Sequence, residues 1–369
     1  MNKIHIKLWV PGSLIFLVCL LLLPGCSRPG TIKIGAIIST ESTFGPVAEG
    51  VEVMEGLALA VEEINEHGGI NGRKLELIHE NPALDPENAK RIFREMEAAH
   101  RPLLYLSTQS VISLALAPLA EASSVVLVGF LTTAPEFTHD NEWVFRFWPT
   151  AETEASVIVP LLQKLGITRL GVLYLNDAFG QSIFREIENG LNAEGVRIQG
   201  VSFEVAENDF TGQVASLLAN EAVCFIGFHV HLKAIAKELE EQGYAGVKIA
   251  PNAAASPVVR TIASAQGIYV IAPVVYNPDY LFARDFKRKY EQRYHKPFGH
   301  YSPCGYDLLK LLADLLEDRD IDRSTVQQVM ASGFTYSGVF GELHGRPGEH
   351  DIHIPFFAAK IVDGEVVYR

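Results

Sequence analysis

Apolar residues recur with two different periods along the chain, and residues 32–78 show both of them. Residues 32–38 are a short apolar run rich in β-branched side chains, typical of a strand that is covered on both faces. Over residues 47–64 the apolar positions recur at steps of three and four, which predicts an amphipathic helix with Pro46 at its first position. A glycine-rich turn and a second apolar run, 75–78, complete a βαβ unit and predict a parallel sheet.

The same alternation continues to residue 272 and places the chain in the α/β class. The predicted strands are 103–106, 125–130, 170–175, 196–203, 224–228, 247–250 and 267–272. The predicted helices are 85–100, 111–121, 153–165, 181–193, 210–219 and 232–242.

The last ninety or so residues differ, because three helices are followed by strands and turns. The helices are predicted at 281–294, 305–316 and 323–331, and the strands at 336–344, 354–362 and 365–368. Segments that look like crossovers, at 145–149, 273–278 and 337–338, predict two lobes joined by a three-segment hinge. The predicted lobes are 31–148 plus 278–336, and 149–277 plus 337–369. Ligands of such sheets bind beyond the carboxyl ends of the strands, here in a cleft between the lobes.

The first 25 residues are interpreted as a signal peptide and are excluded from the fold. Lys3 and Lys7 precede an apolar run of ten residues, which is shorter than the ~20 that a membrane-spanning helix needs. Residues 23–27, Leu-Pro-Gly-Cys-Ser, resemble a bacterial lipobox, in which Cys26 would carry a lipid that tethers the protein to the membrane. An ordinary signal peptide with an incidental cysteine is the alternative. Both interpretations imply a periplasmic or extracytoplasmic location.

Composition excludes some function classes. The 369 residues suffice for two domains, and a net charge of −13, with no evident Lys/Arg cluster, argues against a nucleic-acid partner.

Cys224 falls in an apolar strand and Cys304 precedes a helix. A disulfide between them stays open, since the predicted compartment is oxidising.

Sequence motifs indicate neither an enzyme nor a cofactor site. Phosphate-binding glycine loops, zinc-protease and nucleophile-elbow motifs do not occur. His229 and His231, on one side of an extended segment, could bind a metal with a third histidine from the tail, or could be a solvated pair at a rim; the second interpretation is preferred, so no metal site is predicted.

Two polar loops, residues 107–110 and 131–135, follow predicted strands. Both loops carry hydroxyl groups next to a helix start. Free N–H groups at a helix N-terminus, with serine and threonine hydroxyls, suit a carboxylate. Simple helix capping accounts for the same residues, and both explanations remain.

Several motifs together resemble the solute-binding proteins of the branched-chain amino-acid (Leu/Ile/Val) type, which serve ABC importers. The resemblance runs from residue 32 to the C-terminus. Its most specific parts are Gly45-Pro46-Val47-Ala48 and Gly68-Gly69-Ile70-Asn71-Gly72-Arg73-Lys74, with support from Asp85-Pro86, Pro118-Leu119-Ala120, Phe145-Arg146, Phe179-Gly180, Asp209-Phe210, Gly305-Tyr306-Asp307 and Asp363-Gly364. The resemblance implies the type I periplasmic-binding fold, two Rossmann-like lobes with parallel central sheets.

The resemblance also implies a set of ligand-binding residues. Ser110 matches the family's hydroxyl donor, Thr132 and Thr133 match the contacts of the next loop, and the second lobe supplies Phe179, Phe228 and Asn252. Asn252 stands near the position where amino-acid binders have an acid for the ammonium group, and an amide cannot neutralise that charge. The two phenylalanines also lack a phenolic hydroxyl. These departures favour a small carboxylate or amide ligand with an apolar or aromatic body over a free α-amino acid.

The function predicted from the sequence is therefore a lipid-anchored receptor that captures a small amino-acid-like, carboxylate or amide ligand by hinge closure. It would deliver this ligand to an ABC permease, with no catalysis and no cofactor. The alternative is a regulatory or sensory lipoprotein that uses the same fold to signal to a partner protein.

Overall fold

The structure is a computed structural model that describes residues 30–192 and 195–368. The predicted signal peptide and Cys26 lie outside these residues. In the part of the chain that is described, every helix is too short or too polar to cross a bilayer.

Strands and helices alternate through most of the chain. The first ten elements are β1 (Ile32–Ile37), β2 (Glu41–Ser42), β3 (Gly45–Pro46), α1 (Ala48–Glu66), β4 (Leu75–Glu80), α2 (Pro86–Ala99), β5 (Leu104–Thr108), α3 (Ser110–Ser123), β6 (Val126–Phe130) and β7 (Val144–Arg146). The next ten are α4 (Ala151–Lys164), β8 (Arg169–Leu175), α5 (Ala178–Leu191), β9 (Arg197–Phe203), α6 (Thr211–Leu217), β10 (Ala222–Ile226), α7 (His229–Glu241), β11 (Val247–Pro251), α8 (Pro257–Arg260) and β12 (Tyr269–Pro273).

Three helices and five strands follow. They are α9 (Leu281–Tyr294), α10 (Ser302–Leu315), α11 (Arg323–Ala331), β13 (Phe334–Gly338), β14 (Gly341–Gly345), β15 (Ile352–His353), β16 (Phe356–Val362) and β17 (Glu365–Tyr368). The predicted bounds of α9 and α11 are confirmed.

Two central sheets organise the molecule. The first has the strand order β4-β1-β5-β6-β7 and is parallel throughout. The second has the order β17-β16-β12-β11-β10-β8-β9, and only β16 runs antiparallel to its neighbours, β12 and β17. Strands β6 and β10 are buried along their whole length, as expected for strands covered on both faces. In each sheet the order reverses beside one strand, β1 or β8, and such reversal points are where ligands bind.

Helices α1 and α10 pack closely because glycine stands at their contacts. A Cβ atom on Gly56 would lie 1.9 Å from the carbonyl oxygen of Ser302, and one on Gly305 would lie 2.5 Å from that of Val53. Both distances are too short for any side chain. This contact brings the first turn of α1 beside the residues that precede α10.

The start of α1 differs from the prediction. Pro46 lies in the two-residue strand β3, which pairs with β2, and the helix begins at Ala48. The backbone N–H of Val47 donates to the carbonyl of Thr40 at 2.9 Å, so this residue closes the hairpin before the helix starts.

The histidine pair and the tail also differ from the prediction. His229 and His231 lie in the first turn of α7 rather than on an extended segment, because the strand before them ends at Ile226. Helical residues two apart do not share a face. The predicted strand 336–344 is a hairpin of β13 and β14 that turns at residues 339–340, and Gly341 directly after the turn has φ +96°.

Hydrogen bonds tie the tail hairpin to helix α10, and the segment after the hairpin meets β7 of the first sheet. The Asp307 carboxylate at α10 accepts from the backbone N–H groups of Val339 and Phe340 at 2.9 and 3.1 Å. Asp351 forms an isolated parallel β-bridge with Arg146, which ends β7. The chain joins the second sheet only at β16, whereas the sequence placed the third crossover near residues 337–338. The lobe boundaries drawn from the sequence otherwise stay a prediction.

A cluster of basic residues, which the sequence analysis did not recognise, lies on α9. Three of these residues pair with acids of α1: Lys289 with Glu63 at 3.0 Å, Arg293 with Glu62 at 3.1 Å, and Lys296, just beyond the helix, with Glu55 at 2.8 Å. The cluster therefore compensates the acidic side of α1.

Candidate functional site

A small cavity lies between the carboxyl ends of the two sheets. Its volume is about 30 Å³, enough for roughly one water molecule. Both sheets and the connections between them line it, through Glu49, Gln109, Leu131, Thr133, Trp148, Phe179, Gly227, Phe228, Asn252, Ala253 and Tyr301. Four of the six predicted ligand-binding residues are in this set, whereas Ser110 and Thr132 are not.

Ser110 and Thr132 shape the first wall of the cavity without facing it. The Ser110 hydroxyl oxygen accepts from the backbone N–H groups of Thr133 and Ala134 at 3.1 and 3.4 Å, so it joins the loops after β5 and β6. The Thr132 hydroxyl donates to the Ser113 hydroxyl at 2.7 Å. Both residues are fully buried, and in this arrangement their hydroxyl groups bond within the first wall, while their role in ligand binding stays a prediction.

Two residues of the first wall have left-handed backbone conformations. Gln109 follows β5 with φ +60° and ψ 137°, and Leu131 follows β6 with φ +52°. Such conformations cost about 1–3 kcal/mol for residues other than glycine and concentrate at ligand sites. The Gln109 side chain accepts from the Thr108 hydroxyl at 2.5 Å, while its buried amide nitrogen Nε2 has no hydrogen-bond partner among the described residues.

Arg146 supports the first wall from behind. Its buried guanidinium pairs with Asp351 at 2.9 Å and donates to the carbonyl oxygens of Thr132 and Pro135 at 3.1 and 3.3 Å. Burial lowers the pKa of Arg146, and Asp351 acts against that shift. The arginine thereby holds the loop that carries Leu131 and Thr133.

The second wall consists of two aromatic rings at helix starts. Phe179 in the first turn of α5 and Phe228 at the N-cap of α7 lie parallel, with ring centroids 6.1 Å apart and planes at 6°. Asp177 caps α5 by accepting from the backbone N–H of Gly180 at 2.9 Å. A Cβ atom at Gly180 would lie 2.1 Å from the carbonyl oxygen of Leu175, so only glycine allows this helix to start so close to its strand.

Asn252 is oriented by two buried groups. Its Nδ2 donates to Glu154 Oε1 at 2.5 Å, and the Tyr301 hydroxyl donates to its Oδ1 at 2.6 Å. Burial raises the pKa of Glu154 to about 8 and that of Tyr301 well above its usual range, so burial favours the uncharged form of both groups. The amide is therefore held between two groups that burial disposes to be neutral.

The sequence analysis missed two carboxylates of α1 that reach the second lobe. Glu49 lines the cavity, and its Oε1 accepts from the backbone N–H of His229 at 2.8 Å. Glu52 accepts from the Ser256 hydroxyl at 2.9 Å and from the backbone N–H of Tyr301 at 3.0 Å, and burial raises the pKa of Glu52. The spacing of these residues was the available signal in the sequence. Positions 49, 52 and 56 share one face of α1, and position 56 is the glycine that packs closely against α10.

The residues that the structure describes form neither of the two features weighed from the sequence, a disulfide and a metal site. Cys224 and Cys304 are both buried free thiols, so the disulfide that the sequence left open is absent from the structure. Within residues 30–192 and 195–368, no group of three or more His, Cys, Asp or Glu side chains is arranged to hold a metal ion.

Known proteins match this chain in sequence. A family model of periplasmic binding proteins matches residues 31–365. The Leu/Ile/Val-binding protein of Escherichia coli strain K12 is 26% identical over 249 residues, which are 63% of this chain and 66% of that protein. BasB, a substrate-binding protein of a chemotactic signal transduction system in Halobacterium salinarum, is 25% identical over 236 residues, 61% of this chain and 57% of BasB. The matched region thus spans just under two thirds of the Escherichia coli protein's length.

A solved structure shares the fold. The solute-binding protein of an ABC transporter from Rhodopseudomonas palustris, in complex with benzoate, superposes with a TM-score of 0.84 at 15% identity, over 92% of this chain and 95% of that one. The matches confirm the two-lobe α/β fold and the resemblance to the Leu/Ile/Val type, and the matched proteins are binding proteins rather than enzymes. The chain belongs to the periplasmic binding protein family.

Proposed function

We propose that this protein is an extracytoplasmic solute receptor that binds a small amino-acid-like, carboxylate or amide ligand between its lobes and delivers it to an ABC importer. One observation carries the proposal. Among the described residues, the cavity presents an unpaired amide donor, Gln109 Nε2, and a carboxylate, Glu49, beside aromatic side chains. Few polar groups among apolar and aromatic ones are typical of small-molecule sites.

Ligand exchange requires the cavity to open. A space of about 30 Å³ is too small for any amino acid, so the described arrangement corresponds to a closed state. Hydrogen bonds between the lobes support closure, among them that between Glu52 and Ser256. A ligand that contacts both walls would bind the closed state more tightly than the open one and thereby drive closure.

Phe228 separates the inner cavity from a larger outer chamber. This chamber has a volume of about 490 Å³ and is lined from the first lobe by residues such as Phe44 and Leu84, and from the second by Asn176 and Val205. Phe228 lines both spaces. We infer that the outer chamber is the access route, and that Phe228 must move for a ligand to reach the inner cavity.

The first experiment identifies the ligand. Native mass spectrometry of the purified protein should show a co-purified small molecule, and a panel of amino acids, carboxylates and amides should raise the unfolding temperature selectively. A ligand at a hundred times its Kd should stabilise the folded state by about 2.7 kcal/mol. A protein that carries no ligand and responds to no compound of the panel would contradict the proposal.

Lipid anchoring at Cys26 is a further part of the proposal, and it rests on the lipobox-like residues 23–27. The wild-type protein should fractionate with membranes and should carry the added mass of acyl chains. The variant Cys26→Ala should be released into the soluble extracytoplasmic fraction. Equal membrane association of both proteins would argue against a lipid at this cysteine.

A sensory role is the second candidate, and its support is the similarity to BasB of a chemotactic signalling system. Uptake measurements separate the two roles. Cells that express the receptor with a cognate permease should accumulate a labelled ligand if the role is transport. Ligand binding without any uptake, together with ligand-dependent association with a signalling partner, would favour the sensory role.

A further inference from the structure

Glu49 is the one acidic residue among those that line the cavity. Its side chain is almost fully buried, yet the described residues give it a single hydrogen bond, from the backbone N–H of His229 to Oε1. A carboxylate can accept about four hydrogen bonds, so this group is under-satisfied. No lysine or arginine lines the cavity to neutralise it.

Among the described residues, the backbone N–H of His229 donates to Glu49, and no side chain donates a hydrogen bond to it. The nearest basic side chain is the His229 imidazole, whose Nδ1 lies 3.5 Å from Glu49 Oε1 and makes no hydrogen bond. Glu154 lies behind Asn252 and is bonded to it, so that acid does not face a ligand directly. An isolated buried carboxylate is costly, and a cationic group in the cavity would remove the cost.

Aromatic rings surround the same space. Trp148 and Tyr301 meet edge to face with centroids 5.4 Å apart, and Phe179 and Phe228 form the opposite wall. The faces of aromatic rings attract cations, by about 0.5–2 kcal/mol for each favourable contact. A carboxylate among aromatic rings is therefore complementary to a small organic cation.

Gln109 supplies the opposite polarity in the same cavity. Its unpaired Nε2 is a donor and suits a carboxylate or carbonyl oxygen. The cavity thus offers an acceptor with negative charge at Glu49 and a neutral donor at Gln109.

We propose that Glu49 binds a cationic nitrogen, so that the ligand is a small ammonium-bearing molecule whose oxygen end lies at Gln109. This inference rests on the proposed receptor function and narrows its ligand class. It also revises the expectation drawn from Asn252, because the acidic partner comes from α1 of the first lobe and not from the loop after β11.

The test uses two matched ligand series and two variants. One series is leucine, 4-methylpentanoate and 3-methylbutylamine; the other is phenylalanine, 3-phenylpropanoate and 2-phenylethylamine. Glu49→Gln keeps an acceptor for the His229 N–H but removes the charge. Glu62→Gln is the control, since Glu62 lies on the same helix but pairs with Arg293 at the surface. Calorimetry gives each affinity, and thermal unfolding confirms that both variants are folded.

In at least one series the ammonium-bearing compounds should bind the wild type tenfold or more tightly than the plain carboxylate. Glu49→Gln should weaken them by tenfold or more and leave carboxylate affinity unchanged, while Glu62→Gln should change neither. Equal or tighter binding of the plain carboxylates, or an equal loss for all compounds in Glu49→Gln, would overturn the inference and leave the receptor function standing. Failure of all six compounds to bind would contradict the receptor function as well.

Discussion

The two walls of the cavity are built on opposite principles. The first-lobe wall stands on strained backbone, with Gln109 and Leu131 in left-handed conformations and Arg146 bracing the loop, and it carries the polar side chain of Gln109. The second-lobe wall places aromatic rings at relaxed helix starts, and its amide, Asn252, is already bonded on both sides. The first wall thus has a hydrogen-bond donor without a partner among the described residues, whereas the second wall mainly presents apolar surface to the cavity.

This difference suggests a division of labour between the lobes. Under the proposed function, the first lobe, which includes Glu49, would recognise the polar atoms of the ligand, and the second lobe would exclude water on closure. Excluding water strengthens each polar contact, because electrostatic interactions grow as the local dielectric constant falls. Three predictions test the contrast, in decreasing order of expected effect.

The largest effect concerns Glu154, which holds the second wall's amide. Its pKa of about 8 in the folded protein exceeds its ordinary value of 4.5, so folding favours the protonated form. Between these two values the unfolded chain binds fewer protons than the folded one, and stability falls as pH rises. Glu154→Gln, which stays neutral, should gain up to ~1.4 kcal/mol per pH unit relative to wild type between pH 5 and 8.

Urea unfolding at several pH values measures this gain. Glu152→Gln, an exposed neighbour on the same helix, is the control and should follow the wild type at every pH. A constant stability difference between Glu154→Gln and wild type across this pH range would show that Glu154 is not held neutral.

The second prediction concerns Arg146, which braces the first wall. Arg146→Met should lower the free energy of unfolding by ~3 kcal/mol, at the low end for a broken buried ion pair because Asp351 is partly exposed. The matched control is Arg185→Met, since Arg185 pairs with Glu136 at the surface and should contribute 1 kcal/mol or less, as is typical (~0–1) of exposed pairs. Chemical denaturation measures the free energy of unfolding of both variants. Similar losses of stability in the two would mean that the buried Arg146 contributes no more than an exposed arginine.

The third prediction, with the smallest expected effect, distinguishes the contribution of backbone strain at Gln109 from that of its side-chain hydrogen bond. Gln109→Ala and Gln109→Gly both remove the amide donor, and both should weaken an oxygen-bearing ligand by ~1 kcal/mol, the typical contribution of one hydrogen bond. The glycine variant should be more stable than the alanine variant by ~1 kcal/mol, because glycine adopts positive φ without strain. Equal stabilities of the two variants would contradict a strained first wall.

Most of the fold was predictable because it depends on local patterns. Apolar runs and three- and four-residue steps predicted the α/β class and the order of most elements, and α9 and α11 with the right bounds. Errors arose where a distant contact overrides the local signal. Pro46 is typical of a helix start, yet the bond between Val47 and Thr40 places it in a hairpin. In the tail, Asp307 on α10 fixes residues 339 and 340, at the turn that divides the predicted strand 336–344 into β13 and β14.

The site was predictable only in part. Thr133, Phe179, Phe228 and Asn252 line the cavity as the family resemblance implied, and their role in ligand binding remains a prediction. Ser110 and Thr132 fall behind it, since the hydroxyl of each bonds within the first wall. Whether a serine faces a ligand or caps a loop depends on where neighbouring backbone N–H groups point, which side-chain type alone does not determine.

By itself the sequence determined the α/β class, the family and the loops from which the cavity is built, because these follow from periodicity and from motifs a few residues long. The tertiary structure decided that Glu49, a glutamate like several others on α1, is buried at the cavity. That outcome needs Gly56 and Gly305 to bring α1 against α10, and it needs the start of α7 to lie where the backbone N–H of His229 meets the carboxylate. Burial is a property of the packed surroundings, and no residue type or spacing specifies those on its own.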